Sequence, residues 1–191
     1  SIGNYKLDIG IVTTQSITAR LPERAAGGKA EWFEAYVDSK LPLSFESLSA
    51  DVCQIVSSVA DKAMVEYLQV GLCRIAVRQD GTDTLAATEK EFSFPVKYEQ
   101  ILSPVSIEDR LVSAGSFILP VSVSSNRQIS LFNYPSINVG ACNISWAANR
   151  LILVEVLGSG TCQLRMAVDG NDNYWDAELD LRFYLRNNIQ Q

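Results

Sequence analysis

The sequence contains no histidine among its 191 residues, and this absence removes whole classes of chemistry. Histidine is the side chain that ordinarily titrates near neutral pH, so histidine-based triads, cysteine–histidine dyads and most catalytic zinc sites are excluded. Clusters of four or more basic residues are missing too, and 16 Lys and Arg against 22 Asp and Glu give a net charge of -6. Tight phosphate-backbone binding by this chain alone is not expected, because that affinity comes from lysine and arginine.

Long apolar runs and closely spaced cysteines are also missing. No run reaches the roughly 18 apolar residues of a membrane-spanning helix. The cysteines Cys53, Cys73, Cys142 and Cys162 form no Cys-x-x-Cys pair of the kind that zinc and redox motifs use. We interpret them as reduced, small, buried hydrophobic residues. Phosphate-binding glycine-rich loops and Gly-x-Ser-x-Gly elbows do not occur either, so no cofactor, no metal and no enzymatic activity are predicted.

The sequence does contain repeated alternation of apolar and polar residues, which is typical of half-buried antiparallel strands. Residues 179–185 and 162–168 show it most clearly. Residues 151–157 are apolar at nearly every position and predict a central strand covered on both faces. Because Gly158-Ser159-Gly160 suits a tight turn, we expect these three strands to form a meander.

The remaining strand-like runs bring the total to about eight, the number that a jelly roll uses. Apolar residues between positions 52 and 63 recur at helical spacing and predict a short helix. Residues 32–37 fit either a helix or a strand. No internal repeat is evident, so we predict a single all-β domain over residues 1–191, an eight-stranded antiparallel jelly-roll sandwich with one or two short inserted helices.

Besides the loop 169–176, two features of the sequence could support a reaction or a modification without histidine. The first is a set of carboxylates that could pair in a glycosidase, although acidic residues at strand edges are more often simply solvated. Its members are Glu89, Glu91, Glu99, Glu155 and Glu178. The second is the sequon Asn143-Ile144-Ser145, which could be glycosylated if the chain were secreted.

The segment 169–176 is the most polar loop of the sequence. Its oxygens could ligate calcium and its tryptophan could stack on a sugar ring, but its composition is also that of an ordinary exposed turn, which we favour. Its aromatic residues then either cap the core or contact a neighbouring subunit. The candidate inter-subunit residues are Asp169, Asn171, Asp172, Tyr174, Trp175 and Asp176.

The C-terminal half resembles a known family. Residues 129–136, 151–156 and the alternating, arginine-bearing run 179–186 resemble the last strands of picornavirus-like capsid proteins, and the predicted helix near 51–62 resembles the helix that those jelly rolls insert. Ser1 and Gln191 look like products of polyprotein cleavage after glutamine and before a small residue. The chain is most similar to the small coat proteins of plant secovirids such as the cheraviruses.

The resemblance implies a structural coat protein, one of three jelly-roll subunits in an icosahedral shell around a single-stranded RNA genome. It implies a virion location after assembly in the host cytoplasm. The expected partners are two further coat proteins and symmetry copies, with weak contact to genomic RNA at most and none to a membrane. A lectin-like carbohydrate-binding module is the alternative, and a carboxylate glycosidase is a more distant one.

Overall fold

The computed structural model describes residues 12–187, and nearly all of their regular structure is β-strand. The all-β prediction is confirmed. The prediction of a single domain is wrong, because the chain divides into two compact units, Ser1–Tyr98 and Glu99–Gln191. Each unit encloses its own cluster of buried apolar residues, and a segment of this length is enough to bury one core.

The first unit is a sandwich of two sheets, with strand orders β1-β3-β6-β5 and β2-β8-β7-β4. All neighbours are antiparallel except β2 and β8, which run parallel. Its strands are β1 (Ile17–Arg20), β2 (Ala25–Ala26), β3 (Ala30–Val37), β4 (Ser44–Ser47), β5 (Cys53–Val59), β6 (Lys62–Tyr67), β7 (Gly71–Gln79) and β8 (Thr88–Lys97).

The second unit repeats this arrangement. Its two larger sheets have the orders β11-β15-β14 and β10-β17-β16-β13. Two short strands, β9 and β12, pair only with each other among the described residues. Its strands are β9 (Leu102–Ser103), β10 (Arg110–Leu111), β11 (Phe117–Pro120), β12 (Ser122–Val123), β13 (Ser130–Asn133), β14 (Cys142–Ala148), β15 (Leu151–Val156), β16 (Gly160–Val168) and β17 (Ala177–Arg186), with one short helix, α1 (Pro135–Asn138), between β13 and β14.

Both units follow one strand order. In the first, β1-β3-β6-β5 and β8-β7-β4 correspond to the A-B-E-D and G-F-C sheets of an immunoglobulin-like sandwich. In the second, β11-β15-β14 and β17-β16-β13 occupy the same places. The jelly-roll topology of the prediction is therefore not confirmed, and the chain contains a structural repeat that was not predicted.

The alternation of the C-terminal strands places their apolar residues as predicted. Leu164, Met166, Leu181 and Phe183 all lie in the core of the second unit. The core of the first unit is more aromatic, with the ring of Phe33 packed among three other phenylalanine rings. One buried face per strand accounts for the period-two pattern in both units.

The predicted helix between 52 and 63 is wrong, because these residues form β5 and β6, joined at Ala60 and Asp61. A β-bulge interrupts the register of β5 between Ile55 and Ser57. Since a bulge adds one residue to a strand, it shifts the alternation and leaves apolar residues at a spacing that imitates a helix. Residues 32–37, which fitted either structure, belong to strand β3.

The predicted meander is also wrong. Strand β15 pairs with β11 and β14, whereas β16 pairs with β13 and β17 in the other sheet, so residues 158–160 connect two sheets. Strand β15 is central, as predicted, but only one of its faces is covered: Ile152 and Val154 are buried while Leu151 and Glu155 are exposed.

The four cysteines are buried, as predicted, but they are not reduced. Cys53 is bonded to Cys73 and Cys142 to Cys162, each over a sequence separation of 20. The two bridges occupy equivalent places, from the first residue of β5 to β7 and from the first residue of β14 to β16. No helix within residues 12–187 is long and apolar enough to cross a membrane.

Candidate functional site

The polar loop 169–176, between β16 and β17, has a counterpart in the loop 80–87, between β7 and β8. Both begin with Asp-Gly, at Asp80-Gly81 and at Asp169-Gly170. A side chain on Gly170 would lie 2.8 Å from the backbone nitrogen of Asp176, and one on Gly81 would lie 2.6 Å from a backbone oxygen. Glycine is therefore required at this tight turn in both units.

A glutamine from the N-terminal segment of each unit holds the corresponding loop. The Gln15 amide donates to the carbonyl oxygen of Ala86 at 2.7 Å, and the Gln100 amide donates to that of Trp175 at 2.6 Å. Gln100 is buried, and it also donates to the carbonyl oxygen of Asp169 and accepts a hydrogen bond from the Ser125 hydroxyl. In both units, therefore, a hydrogen bond from a glutamine amide to a backbone carbonyl holds the loop in place.

The predicted inter-subunit residues lie together on this loop, and several of its groups are engaged within it. The Asn171 side-chain oxygen accepts hydrogen bonds from the backbone amides of Asn173 and Tyr174, as in an ordinary Asx turn. Tyr174 and Trp175 are half-buried, whereas Asp169, Asp172 and Asp176 are exposed. The part of the chain between 12 and 187 contains no group of three His, Cys, Asp or Glu residues arranged to hold a metal ion. The inter-subunit role of the loop stays a prediction, and so does the processing role of Ser1 and Gln191, which lie outside the described residues.

Replacing Gln100 with leucine is expected to destabilise the second unit by about 2 kcal/mol, because the carbonyl groups of Asp169 and Trp175 lose the buried amide that donates to them. Hydrogen exchange followed by mass spectrometry measures this, and the amides of residues 169–176 are expected to exchange faster. The exposed Gln128 supplies the matched control, Gln128→Leu, which is expected to leave exchange in this loop unchanged. Unaltered exchange in Gln100→Leu would show that the glutamine does not hold the loop.

A second candidate site lies on the outer face of the β1-β3-β6-β5 sheet. Trp32 and Tyr36 project from the same side of β3, and 44% and 50% of their surfaces are exposed. They are four positions apart, so at ~3.3 Å per residue their backbone positions lie roughly 13 Å apart along the strand. We call this surface the Trp32–Tyr36 face, and its members are Arg20, Trp32, Glu34, Tyr36, Lys62, Met64 and Glu66.

Charged groups fill the space between the two aromatic rings. Glu34 lies opposite Lys62 on β6 and opposite Arg20 on β1. The Tyr36 hydroxyl donates to the Glu34 carboxylate at 3.0 Å, and this contact raises the pKa of Tyr36 above its usual value. The Lys62 ammonium lies 5.0 Å from the centre of the Trp32 ring. The face therefore offers two ring surfaces and, between them, both hydrogen-bond donors and acceptors.

Each aromatic residue also borders a cleft. One cleft of about 360 Å³ runs beside Trp32 and is lined by charged residues that include Arg20, Glu31 and Glu34. Another of about 430 Å³ lies beside Tyr36, with Lys40 and Asp61 in its wall. The Glu31 carboxylate accepts a hydrogen bond from the Tyr67 hydroxyl, and burial together with this contact raises the pKa of Tyr67 far above its usual value. Tyr67 therefore stays protonated and fixes Glu31 at the edge of the first cleft.

The other sheet of each unit presents a different kind of surface. The Arg74 guanidinium holds the Glu91 carboxylate with two hydrogen bonds, and Arg165 holds Asp180 in the same way. These contacts lower the pKa of Glu91 and of Asp180. A glycosidase acid requires the opposite shift, so Glu91 does not suit that role. The other carboxylates of the glycosidase hypothesis are divided between the two units, with Glu89 in the first and Glu99, Glu155 and Glu178 in the second.

The sequence contained a signal for the repeat that was missed. Cys142 and Cys162 follow Cys53 and Cys73 by the same number of residues, and both pairs span the same separation. The glycines Gly71 and Gly160 and the Asp-Gly turns follow the same shift. Further residues recur at this shift, among them Val65 with Val154 and Phe94 with Phe183.

Comparison with known proteins does not identify a family. No family model and no curated protein matches the chain. An endo-fucoidan hydrolase of glycoside hydrolase family 107 is similar at 10% identity with a TM-score of 0.32, over 94% of this chain and 28% of that one. The fibronectin(III)-like modules of Clostridium thermocellum CbhA match at 15% identity and a TM-score of 0.41, over 92% and 97%. The titin domains z1z2, solved in complex with telethonin, match at 15% identity and a TM-score of 0.30, over 93% and 100%. Since the chain spans less than a third of the hydrolase and all three TM-scores are low, these similarities carry no functional argument.

Proposed function

We propose that this chain is an extracytoplasmic carbohydrate-binding protein whose first unit binds a glycan on the Trp32–Tyr36 face. The observation that carries the proposal is the pair of exposed aromatic rings on one strand with a charged centre between them. Aromatic side chains combine a large apolar surface with a polar group and lose little conformational entropy on binding. The two disulfides support an oxidising compartment, where such proteins work.

The charged centre of the face favours a sugar over a protein partner. Lysine and glutamate are depleted at the centres of protein interfaces, where desolvating them is costly. On this face Glu34 and Lys62 lie between the rings. A polyhydroxylated ligand can hydrogen-bond to such groups while its ring faces pack on Trp32 and Tyr36. An oligosaccharide long enough to contact both rings fits this arrangement better than a compact apolar surface does.

Binding of the full-length, disulfide-bonded chain to a panel of immobilised oligosaccharides tests the proposal. Trp32→Ala and Tyr36→Ala are each expected to weaken the affinity of the retained glycan about tenfold or more, because central aromatic contacts dominate binding energy. Tyr184→Ala is the matched control, since Tyr184 is similarly exposed on the second unit and lies beside Arg182 as Trp32 lies beside Lys62. Equal affinities for all three variants and the unmodified chain would contradict the proposal.

Capsid assembly stays a prediction, but two structural premises of the resemblance do not hold. The helix predicted near 51–62 is a pair of strands, and the single domain is two units. Sedimentation of the chain expressed with its presumed partner coat proteins tests the hypothesis directly. Icosahedral particles would support it, whereas a monomer or small oligomer would favour the carbohydrate-binding proposal.

A further inference from the structure

The second unit carries a surface equivalent to the Trp32–Tyr36 face, but of different chemistry. On the β11-β15-β14 sheet, Ile118 lies opposite Leu153, and Leu153 lies opposite Ser145. Ile118 is exposed and Leu153 is half-buried, so the part of this outer face on β11 and β15 carries aliphatic side chains where its counterpart carries aromatic ones. Strand β14 pairs only with β15 among the described residues, so it forms the edge of this sheet.

The sequon Asn143-Ile144-Ser145 lies on that edge strand. Because side chains alternate along a strand, Asn143 and Ser145 project from the same outer side while Ile144 is buried in the core. The Asn143 amide donates to the Glu155 carboxylate at 3.1 Å, on the neighbouring strand. The amide nitrogen carries two protons, so one remains for this contact if the other is replaced.

We infer that Asn143 is an N-glycosylation site, and that its glycan covers the aliphatic outer face and open edge of the second unit. The sequon needs an accessible asparagine, a hydroxyl two residues later and passage through an oxidising secretory compartment. The exposed Asn143 and the exposed Ser145 meet the first two requirements, and the two disulfides fit the third. An uncovered edge strand is a template for pairing with other chains, and a glycan beside it would block that approach.

The chemical step uses a lipid diphosphate-linked oligosaccharide as the donor. A bond forms between the Asn143 side-chain nitrogen and the anomeric carbon of the first sugar. The bond from that carbon to the diphosphate oxygen breaks, and the lipid diphosphate leaves with the bonding electron pair. The nitrogen gives up one proton to the transferase and keeps the other, which can still be donated to Glu155.

Translation of the full chain behind a cleavable signal sequence, in the presence of endoplasmic-reticulum microsomes, tests the inference. The protease-protected product is expected to lose mass on treatment with an asparagine-directed glycosidase, which leaves aspartate at position 143. Asn143→Gln and Ser145→Ala are expected to abolish the mass change, and Ser145→Thr is expected to retain it. Asn149→Gln, a change outside the sequon in the same unit, is the matched control and is expected to behave as the unmodified chain. A protected chain that carries no sugar at Asn143 would overturn the inference, whatever the outcome of the carbohydrate-binding experiments.

Discussion

Joint replacement of Cys53 and Cys73 by alanine is expected to lower the free energy of unfolding of the first unit by about 3 kcal/mol. The bridge closes a loop between residues 20 apart, and closing such a loop restricts the unfolded chain by about this amount. Native-state hydrogen exchange measures the effect strand by strand. Amides of β3, β6 and β7 that exchange through global unfolding are expected to exchange on the order of 100-fold faster.

The equivalent bridge of the second unit supplies the control. Joint replacement of Cys142 and Cys162 is expected to accelerate exchange in β15, β16 and β17 instead, because these strands surround that bridge. Thiol titration of the unmodified, denatured chain adds an independent check, since both bridges leave no cysteine free. Four reactive thiols in protein matured in an oxidising compartment would contradict the pairing.

Phe33→Ala is expected to destabilise the first unit by about 3–5 kcal/mol, the usual cost of emptying a phenylalanine site in a core. Only 1% of the Phe33 surface is exposed, and its ring packs among Phe45, Phe92 and Phe94. Urea unfolding, followed by hydrogen exchange at residues 30–97, measures the loss. The same substitution at Phe132, half of whose surface is exposed, is the control and is expected to change stability by no more than about 0.5 kcal/mol. Similar losses for both variants would show that Phe33 does not anchor this core.

Much of the fold could be predicted from alternation, since one buried face per strand gives a local signal. Strands β16 and β17 and their inward residues follow directly from it, as Leu164 and Phe183 show. The pairing of strands is not local: the apolar run 151–157 predicted a strand, but the predicted meander placed that strand in the wrong sheet. In β5, the bulge near Ile55 interrupted the alternation of buried and exposed residues, so the sequence did not show a strand there.

The candidate sites were harder to predict. The loop 169–176 was found by composition, but the amide of Gln100 that holds it lies far away in sequence. Trp32 and Tyr36 were visible only as members of a segment that fitted a helix or a strand. In a helix, Trp32, Phe33 and Tyr36 would all lie on one face. In strand β3, Trp32 and Tyr36 face outward and Phe33 faces the core. The choice of secondary structure therefore decides whether the site exists.

The most direct test of carbohydrate binding follows the three indole N–H signals of the chain by NMR, assigned with single Trp→Phe variants. The sequence contains Trp32, Trp146 and Trp175, and only Trp32 belongs to the Trp32–Tyr36 face. During titration with the oligosaccharide that the chain retains most strongly, the Trp32 signal is expected to shift saturably while the signals of Trp146 and Trp175 stay in place. A shift of Trp146 or Trp175 with Trp32 unmoved, or no shift at all, would contradict this expectation.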